Sequence, residues 1–327
     1  MNTGEETIQK INSSGVVIGY MMNPDKVFYS EMDDVIIKYL ESAGAKVERC
    51  QLEDIHFAIG TGRIEVHVNE RRVSWDGFLS YGYMSKFHFE AYMYIISSMD
   101  AAGIACLHNA ELEKILNNKY LQGLQYAKAG VPIPDTHIGF SINAFKHIAN
   151  ENYSDKSIVK KLDDYGGDGV AKSDTKEHLV NFAAKNLWKN EYCLFQKFVP
   201  DVQGKSVRVL CIDGKAVAIA QYEDKTNSFK SNNSFGYEFF SLNSLMDSEN
   251  YEKYASIGEK AIKSLGNLVI GGVDILDSTV LGCVVLEVNG WPDIYDIAQS
   301  TKQNIFEQFA ASFINKCTRF KESRNKI

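Results

Sequence analysis

The stretch VIGGVDILDSTVLGCVVLEVNGWPD (269–293) leaves a chain few folding options. Two strand-length apolar runs separated by a turn read as a hairpin, and alternate residues on each strand share a face. With the turn near Thr279–Val280, Asp274 falls opposite Glu287, and Asn289 projects beside Glu287. The flanking sequence is apolar enough for the centre of a sheet, where unpartnered polar groups are costly. Three oxygen-bearing side chains gathered there suit a hard divalent cation. Mg2+ in particular takes few protein carboxylates and completes its shell with water and substrate phosphates. Two carboxylates facing each other without a cation would repel. The competing reading makes all three ordinary solvated groups on an edge strand.

The rest of the chain alternates strand and helix. GVVIGYMM (15–22), the helical YSEMDDVIIKYLESAGA and KVERCQL predict a parallel strand–helix–strand unit, and the pattern continues through residues 76–82 and 91–110. Residues 1–110 therefore form an N-terminal α/β domain. One amphipathic helix is expected over 111–130, ending at VPIPD with Lys119 near its end. A strand KSIVKKL, a glycine-rich loop DDYGGDGV and a helix KEHLVNFAAKNL follow, giving a central region over 111–200. A C-terminal region over 201–318 holds a hairpin turning at Asp213–Gly214, a helix over 249–266, the second hairpin and a last helix at about 301–318. Residues 319–327 read as a frayed tail.

Composition removes several functions. A formal charge of −7 argues against a broad nucleic-acid-binding field. Six scattered cysteines show no metal spacing and sit mostly in apolar runs, so they read as buried thiols of a reducing compartment. No stretch approaches the roughly 18 apolar residues of a membrane span, and the first residues lack a signal-peptide core. A cytoplasmic protein is expected. VPDVQGKS has Val199 where a P-loop needs glycine, no G-x-G-x-x-G opens the first unit, and no G-x-S-x-G elbow occurs.

Two further features point to an anion. The glycine-rich loop can bring backbone N–H groups to phosphate oxygens, with Lys160 or Lys161 beside it. Arg208 lies within the apolar SVRVLCI, where a guanidinium needs an anionic partner, whether an acidic side chain or a phosphate. Lys230 and Asn232 sit in the polar loop FKSNNSFG.

In their order and spacing, NNKYLQGLQYAKAGVPIPDT, IVKKLDDYGGDGV, LFQKFVPDVQGKSVRVLCIDGKAV, FKSNNSFG and GGVDIL…VLEVNGWPD resemble the ATP-grasp ligases, specifically the RimK-type amino-acid (α-L-glutamate) ligase branch, over about residues 105–315. The resemblance implies an ATP-grasp fold: a parallel pre-ATP-grasp domain, a small central lid and a C-terminal antiparallel sheet. It implies that Lys119 and Lys160 contact ATP phosphates, and that residues 163–170, with Gly166, Gly167 and Gly169, cover the triphosphate. Gln196, Lys197, Phe198 and Val199 would form the adenine hinge. Arg208 would face the acyl phosphate, with Lys230 and Asn232 assisting, and Asp274, Glu287 and Asn289 would hold Mg2+, or Mn2+ in its place. Ser206 stands where such ligases often carry a ribose-contacting Asp, and Lys230 where Arg is common.

The implied reaction is ADP-forming ligation of a carboxylate to an amino-acid amine, glutamate-like, through an acyl phosphate. Its partners would be small molecules or a peptide, with neither nucleic acid nor membrane, and homo-oligomerisation is left open. Two alternatives stand beside it: a nucleotide-binding regulator without turnover, and a ligase that modifies a peptide or protein tail.

Overall fold

The computed structural model describes residues 15–22, 26–81, 86–152, 156–162, 169–173, 175–189, 191–202, 204–224, 240–266 and 268–324. Gly166, Gly167, Lys230 and Asn232 lie outside these residues. The chain divides into two compact units, residues 1–110 with 304–327, and residues 111–303.

The first unit begins with β1 (Val17–Met21), α1 (Lys26–Ser42) and β2 (Lys46–Cys50). The expected parallel pairing forms, with Ile18 opposite Val47. β3 (Ile55–Gly60), β4 (Arg63–Val68) and β5 (Arg71–Arg72) then make a separate antiparallel sheet, which the reading of this stretch as simple α/β alternation did not include. β6 (Gly77–Leu79), α2 (Lys86–Ala101) and β7 (Ala105–Cys106) complete a parallel sheet in the order β2-β1-β6-β7. Gly19 is needed here, because a Cβ would lie 2.2 Å from the Trp75 ring.

The second unit opens with two helices, α3 (Ala110–Leu116) and α4 (Lys119–Ala129), where one had been expected. Two asparagines cause the break. The Asn117 amide donates back to the Glu113 carbonyl and carboxylate at 2.8 and 2.9 Å, ending α3. Asn118 is extended, and its side chain accepts from the N–H groups of Tyr120 and Leu121 at 3.0 Å each. Lys119 therefore starts a helix rather than ending one.

β8 (Thr136–Ile138), α5 (Ile142–Asn152), β9 (Ser157–Lys161), β10 (Val170–Ser173), α6 (Lys176–Leu187) and β11 (Cys193–Lys197) follow. Their strands pair in the order β10-β9-β11-β8. Next come β12 (Lys205–Ile212), β13 (Lys215–Asp224), β14 (Phe240–Ser244), α7 (Tyr251–Leu265), β15 (Ile270–Ser278), β16 (Gly282–Asn289) and α8 (Tyr295–Thr301). These strands form an antiparallel sheet in the order β14-β13-β12-β15-β16. The first expected hairpin turns at Asp213–Gly214, both at positive φ. α7 buries Tyr254, Ala261 and Ile262 against this sheet in a core with Val209, Val273 and Val288. Gly258 makes the close approach possible, since a Cβ would lie 2.6 Å from Val209.

α9 (Ile305–Arg324) belongs to the first unit, not to the C-terminal region, and it runs through most of the expected tail. It buries Phe309 and Phe313, and its last turn is anchored by Asp76, with Lys321 Nζ at 3.0 Å and an Arg324 nitrogen at 3.6 Å. All six cysteines are free and buried. No helix of the described residues is long and apolar enough to cross a membrane.

Candidate active site on the second antiparallel sheet

The hairpin of β15 and β16 turns through residues 279–281 and sets Asp274 opposite Glu287 and Gly272 opposite Asn289. The three oxygen-bearing side chains share a face, and the Asn289 amide donates to Asp274 Oδ2 at 3.2 Å. β16 is the edge strand of its sheet among the described residues, so the hairpin is only half interior. The expected hairpin forms and the expected pairing of Asp274 with Glu287 is made, through a register shift between Asp274 and Ile275.

β12 pairs with β15 on its other side and places Arg208 opposite Asp274. Arg208 Nε donates to Oδ1 at 2.7 Å and Nη2 to Oδ2 at 2.8 Å, a bidentate pair. On the far side the guanidinium lies 5.1 Å from the centre of the Tyr222 ring, contributed by β13. Burial works against the Arg208 charge, but Asp274 and Tyr222 more than restore it, and its pKa is raised. Gly272 makes room for this arrangement: a Cβ would meet Pro292 Cβ at 2.7 Å and Arg208 Cδ at 3.4 Å.

Two lysines reach the same face. Lys119 Nζ lies 3.1 Å from Glu287 Oε2, and the Lys119 backbone N–H donates to Leu162 O, just beyond β9. Burial of Lys160 lowers its ammonium to about 8, with Glu287 opposing the shift and Lys119 reinforcing it. Lys161 turns the other way and pairs with Glu191 at 2.8 Å. The alternatives left open between these two lysines are thus separated by the strand's alternation. Burial pushes the Glu287 carboxyl up, but Lys119, Lys160 and Arg208 outweigh it and hold the acid below its usual range.

This geometry revises the argument from repulsion. The facing carboxylates are already compensated by Arg208, Lys119 and Lys160, so a metal is not required to relieve them. The donor set nonetheless fits Mg2+: two carboxylates and one amide oxygen, all hard, on one face. Among the described residues no group of three or more His, Cys, Asp and Glu is gathered as for a metal ion, so any cation here would rely on Asn289 as its third protein oxygen.

The other expected residues are placed as follows. Gly169 accepts from the Lys161 N–H at 2.9 Å. Gln196 is buried and donates to Thr136 Oγ1 at 3.1 Å, so its side chain has a structural partner. The Lys197 N–H is directed to Asp135 O, and Lys172 Nζ lies 4.7 Å from the centre of the Phe198 ring. Val199 packs on Leu276 and Val284 of the hairpin, forming an apolar floor next to the charged face. Ser206 is buried on β12 two residues from Arg208, opposite Tyr222.

Sequence reasoning missed Tyr222, Gly272 and the role of Asp293. Gly272 had a readable signal, a second consecutive glycine within a strand, which marks a close approach. Asp293 caps α8, its Oδ1 accepting from the N–H of Tyr295 at 3.0 Å and of Asp296 at 3.3 Å. Burial, then the hydrogen bond and charge of Asp296, raise the Asp293 carboxyl to about 7.

The RimK-like ATP-grasp domain matches residues 117–313. A Coxiella burnetii protein named a probable alpha-L-glutamate ligase is 28% identical over 212 residues, 64% of this chain and 67% of that one. Among solved structures, D-alanyl-alanine synthetase A from Vibrio cholerae superposes with a TM-score of 0.69 at 14% identity, covering 93% of this chain and 99% of that one. Macrocyclase MdnC bound with precursor peptide MdnA from Microcystis aeruginosa gives 0.65 at 17% identity, covering 92% and 99%. The chain has the ATP-grasp fold and belongs to the RimK-like ATP-grasp family of carboxylate–amine ligases, which use ATP and Mg2+.

Proposed function

We propose that this chain activates a carboxylate as an acyl phosphate and joins it to the amine of an amino acid, glutamate being the first candidate. The observation that carries this reading is the convergence of Arg208, Lys119 and Lys160 on the face bearing Asp274, Glu287 and Asn289. A carboxylate is a poor electrophile, and transfer of a phosphoryl group gives it a leaving group that an amine can displace. The work left to the protein is charge neutralisation and alignment. Lys119 and Lys160 are suited to hold phosphate oxygens. Arg208 is suited to trade one of its carboxylate bonds for the oxygen that gains charge as the acyl phosphate forms. Asp274, Glu287 and Asn289 would hold Mg2+, which when bound would supply positive charge to offset that of the phosphates. No covalent protein nucleophile is needed, in keeping with the absence of a serine or cysteine motif.

The choice of glutamate rests on the name of the Coxiella burnetii relative. A second reading takes a peptide as the acceptor or the donor, favoured by a solved relative of the same fold that carries a bound precursor peptide.

The test is ADP and phosphate release from Mg-ATP with pooled amino acids, carboxylic acids and acidic peptides, with products identified by mass spectrometry. A condensation product matched to ADP formation supports ligation and names both substrates. ATP binding with no ADP release from any pool sinks the proposal in favour of a regulatory nucleotide binder. Glu287→Gln is the control, since it should abolish ADP formation by a ligase.

A further inference from the structure

The Gln122 side chain lies one turn into α4, in a residue only 2% exposed. A buried amide is costly unless its bonding capacity is met, and it has two donor hydrogens and two acceptor sites to fill. All four are filled. Nε2 donates to Leu116 O at 2.7 Å and to Val288 O at 3.0 Å. Oε1 accepts from Val288 N–H at 2.8 Å and from the Tyr126 hydroxyl at 2.5 Å. The orientation is fixed by chemistry, because the Val288 N–H can only donate and must therefore meet the oxygen.

The exchange with Val288 copies the pair of bonds that another strand would make at the open side of β16. Nearby on that edge, the Val285 N–H is taken by Pro132 O at 2.8 Å. Val288 lies between Glu287 and Asn289, while Leu116 ends α3 immediately before the Asn117–Asn118 break that starts Lys119 on its helix. One side chain thus ties the strand carrying two of the oxygen ligands to the helix start carrying the lysine that pairs with Glu287.

We propose that Gln122 is a positioning residue: it fixes Glu287 and Asn289 against Lys119 and so sets how strongly nucleotide binding depends on Mg2+. The proposal rests on the reading of Asp274, Glu287 and Asn289 as the metal-holding face. It concerns a residue that touches neither nucleotide nor metal and acts through the backbone of Val288. Without the amide, the outward N–H and C=O of Val288 lose their partners, and the two side chains flanking them gain freedom that the metal must then remove.

The experiment is calorimetric titration of the full chain with ADP, in a Mg2+ series and in EDTA, for the wild type, Gln122→Met and Gln122→Asn. Methionine keeps the volume and removes the bonds. Asparagine keeps the amide but falls one methylene short, and it serves where the methionine variant does not fold. Hydrogen exchange at the Val288 amide reports the local bond without any ligand. The expected result is faster exchange at Val288 and an increase of about tenfold in the Mg2+ needed for half-maximal ADP binding, the usual scale for losing a group that orients metal ligands. ADP binding in EDTA should be unchanged, which a merely structural defect would not respect. A folded variant with wild-type Mg2+ dependence, or one weakened equally with and without Mg2+, overturns the proposal while leaving the ligase reading intact. A wild type whose ADP binding does not respond to Mg2+ overturns both.

Discussion

Arg208 grips Asp274 across two adjacent strands, Nε to Oδ1 at 2.7 Å and Nη2 to Oδ2 at 2.8 Å, and the strand register sets the two residues directly opposite. With side chains only 15% and 13% exposed, the pair is well shielded from water. The two partners are therefore unequal in what they leave behind. Asp274→Asn strands a guanidinium that Tyr222 alone cannot neutralise, and should cost about 3 kcal/mol in urea melts. Arg208→Lys keeps a positive charge near Asp274 and should cost clearly less, but it loses the planar fork. Its ADP release should fall about a hundredfold or more, the range seen when one preorganised transition-state donor is removed. Equal stability loss in the two variants would refute this account of the pair.

Part of this face is legible in the sequence. Alternation put Glu287 and Asn289 on one face of β16, but the turn alone does not bring Asp274 to them: counted from the closing pair Ser278–Gly282, a regular ladder would set Asp274 opposite Leu286, and the register shift between Asp274 and Ile275 supplies the pairing with Glu287. An arginine inside SVRVLCI likewise required an anion, although strand order alone decides that Asp274 supplies it. Non-local relations were not legible. Nothing in the local pattern shows that α9 returns to the first unit, since its apolar face would suit either core. The Asn117–Asn118 break was readable in principle, as two asparagines in succession compete with the helix for backbone groups, but the flanking periodicity masked it. Gln196 illustrates a different limit: its strand was clear, while the partner of its side chain, Thr136, lies on a strand that meets it only in the folded sheet.

Lys160 gives the nucleotide site a pH dependence of defined sign. Its ammonium, lowered to about 8, is charged below that pH and increasingly neutral above it. Binding a polyanion favours the charged form, so ADP binding at pH 8.5 should draw a proton onto Lys160. Affinity should weaken as pH rises through 8. Titration calorimetry in buffers of different ionisation enthalpy measures the uptake directly, and Lys160→Met should remove it. A heat of binding independent of buffer in the wild type would contradict this assignment.

Asp293 and Asp296 should make the protein less stable toward neutral pH. The Asp293 carboxyl, raised to about 7 by burial and by its neighbour Asp296, holds a proton in the folded state that the unfolded chain releases near pH 4. Between those values the folded state binds more protons, so stability falls as pH rises, and the loss is complete above about 7. Asp296→Asn removes the neighbouring charge and should flatten the decline. Urea melts of both proteins at pH 5 and pH 8 test this, and equal pH slopes in the two would count against it.

Gly272 is where backbone geometry and chemistry meet most tightly. It lies opposite Asn289 and two residues before Asp274, and a Cβ there would stand 2.7 Å from Pro292 Cβ and 3.4 Å from Arg208 Cδ. Neither neighbour can yield cheaply: Pro292 is a rigid ring in the turn after β16, and the Arg208 stem is held by its fork on Asp274. Its φ is not positive, so the strain in Gly272→Ala is one of contact rather than of backbone conformation. Overpacking of this kind costs roughly 1–3 kcal/mol. The more telling effect falls on function, since relief comes only by moving the turn or the guanidinium. Gly272→Ala should therefore lose ADP release out of proportion to its stability, whereas Gly258→Ala, which crowds Val209 under α7 away from the charged face, should lose stability with little change in turnover per folded molecule. Matching losses of turnover per folded molecule in the two variants would mean that Gly272 serves packing alone.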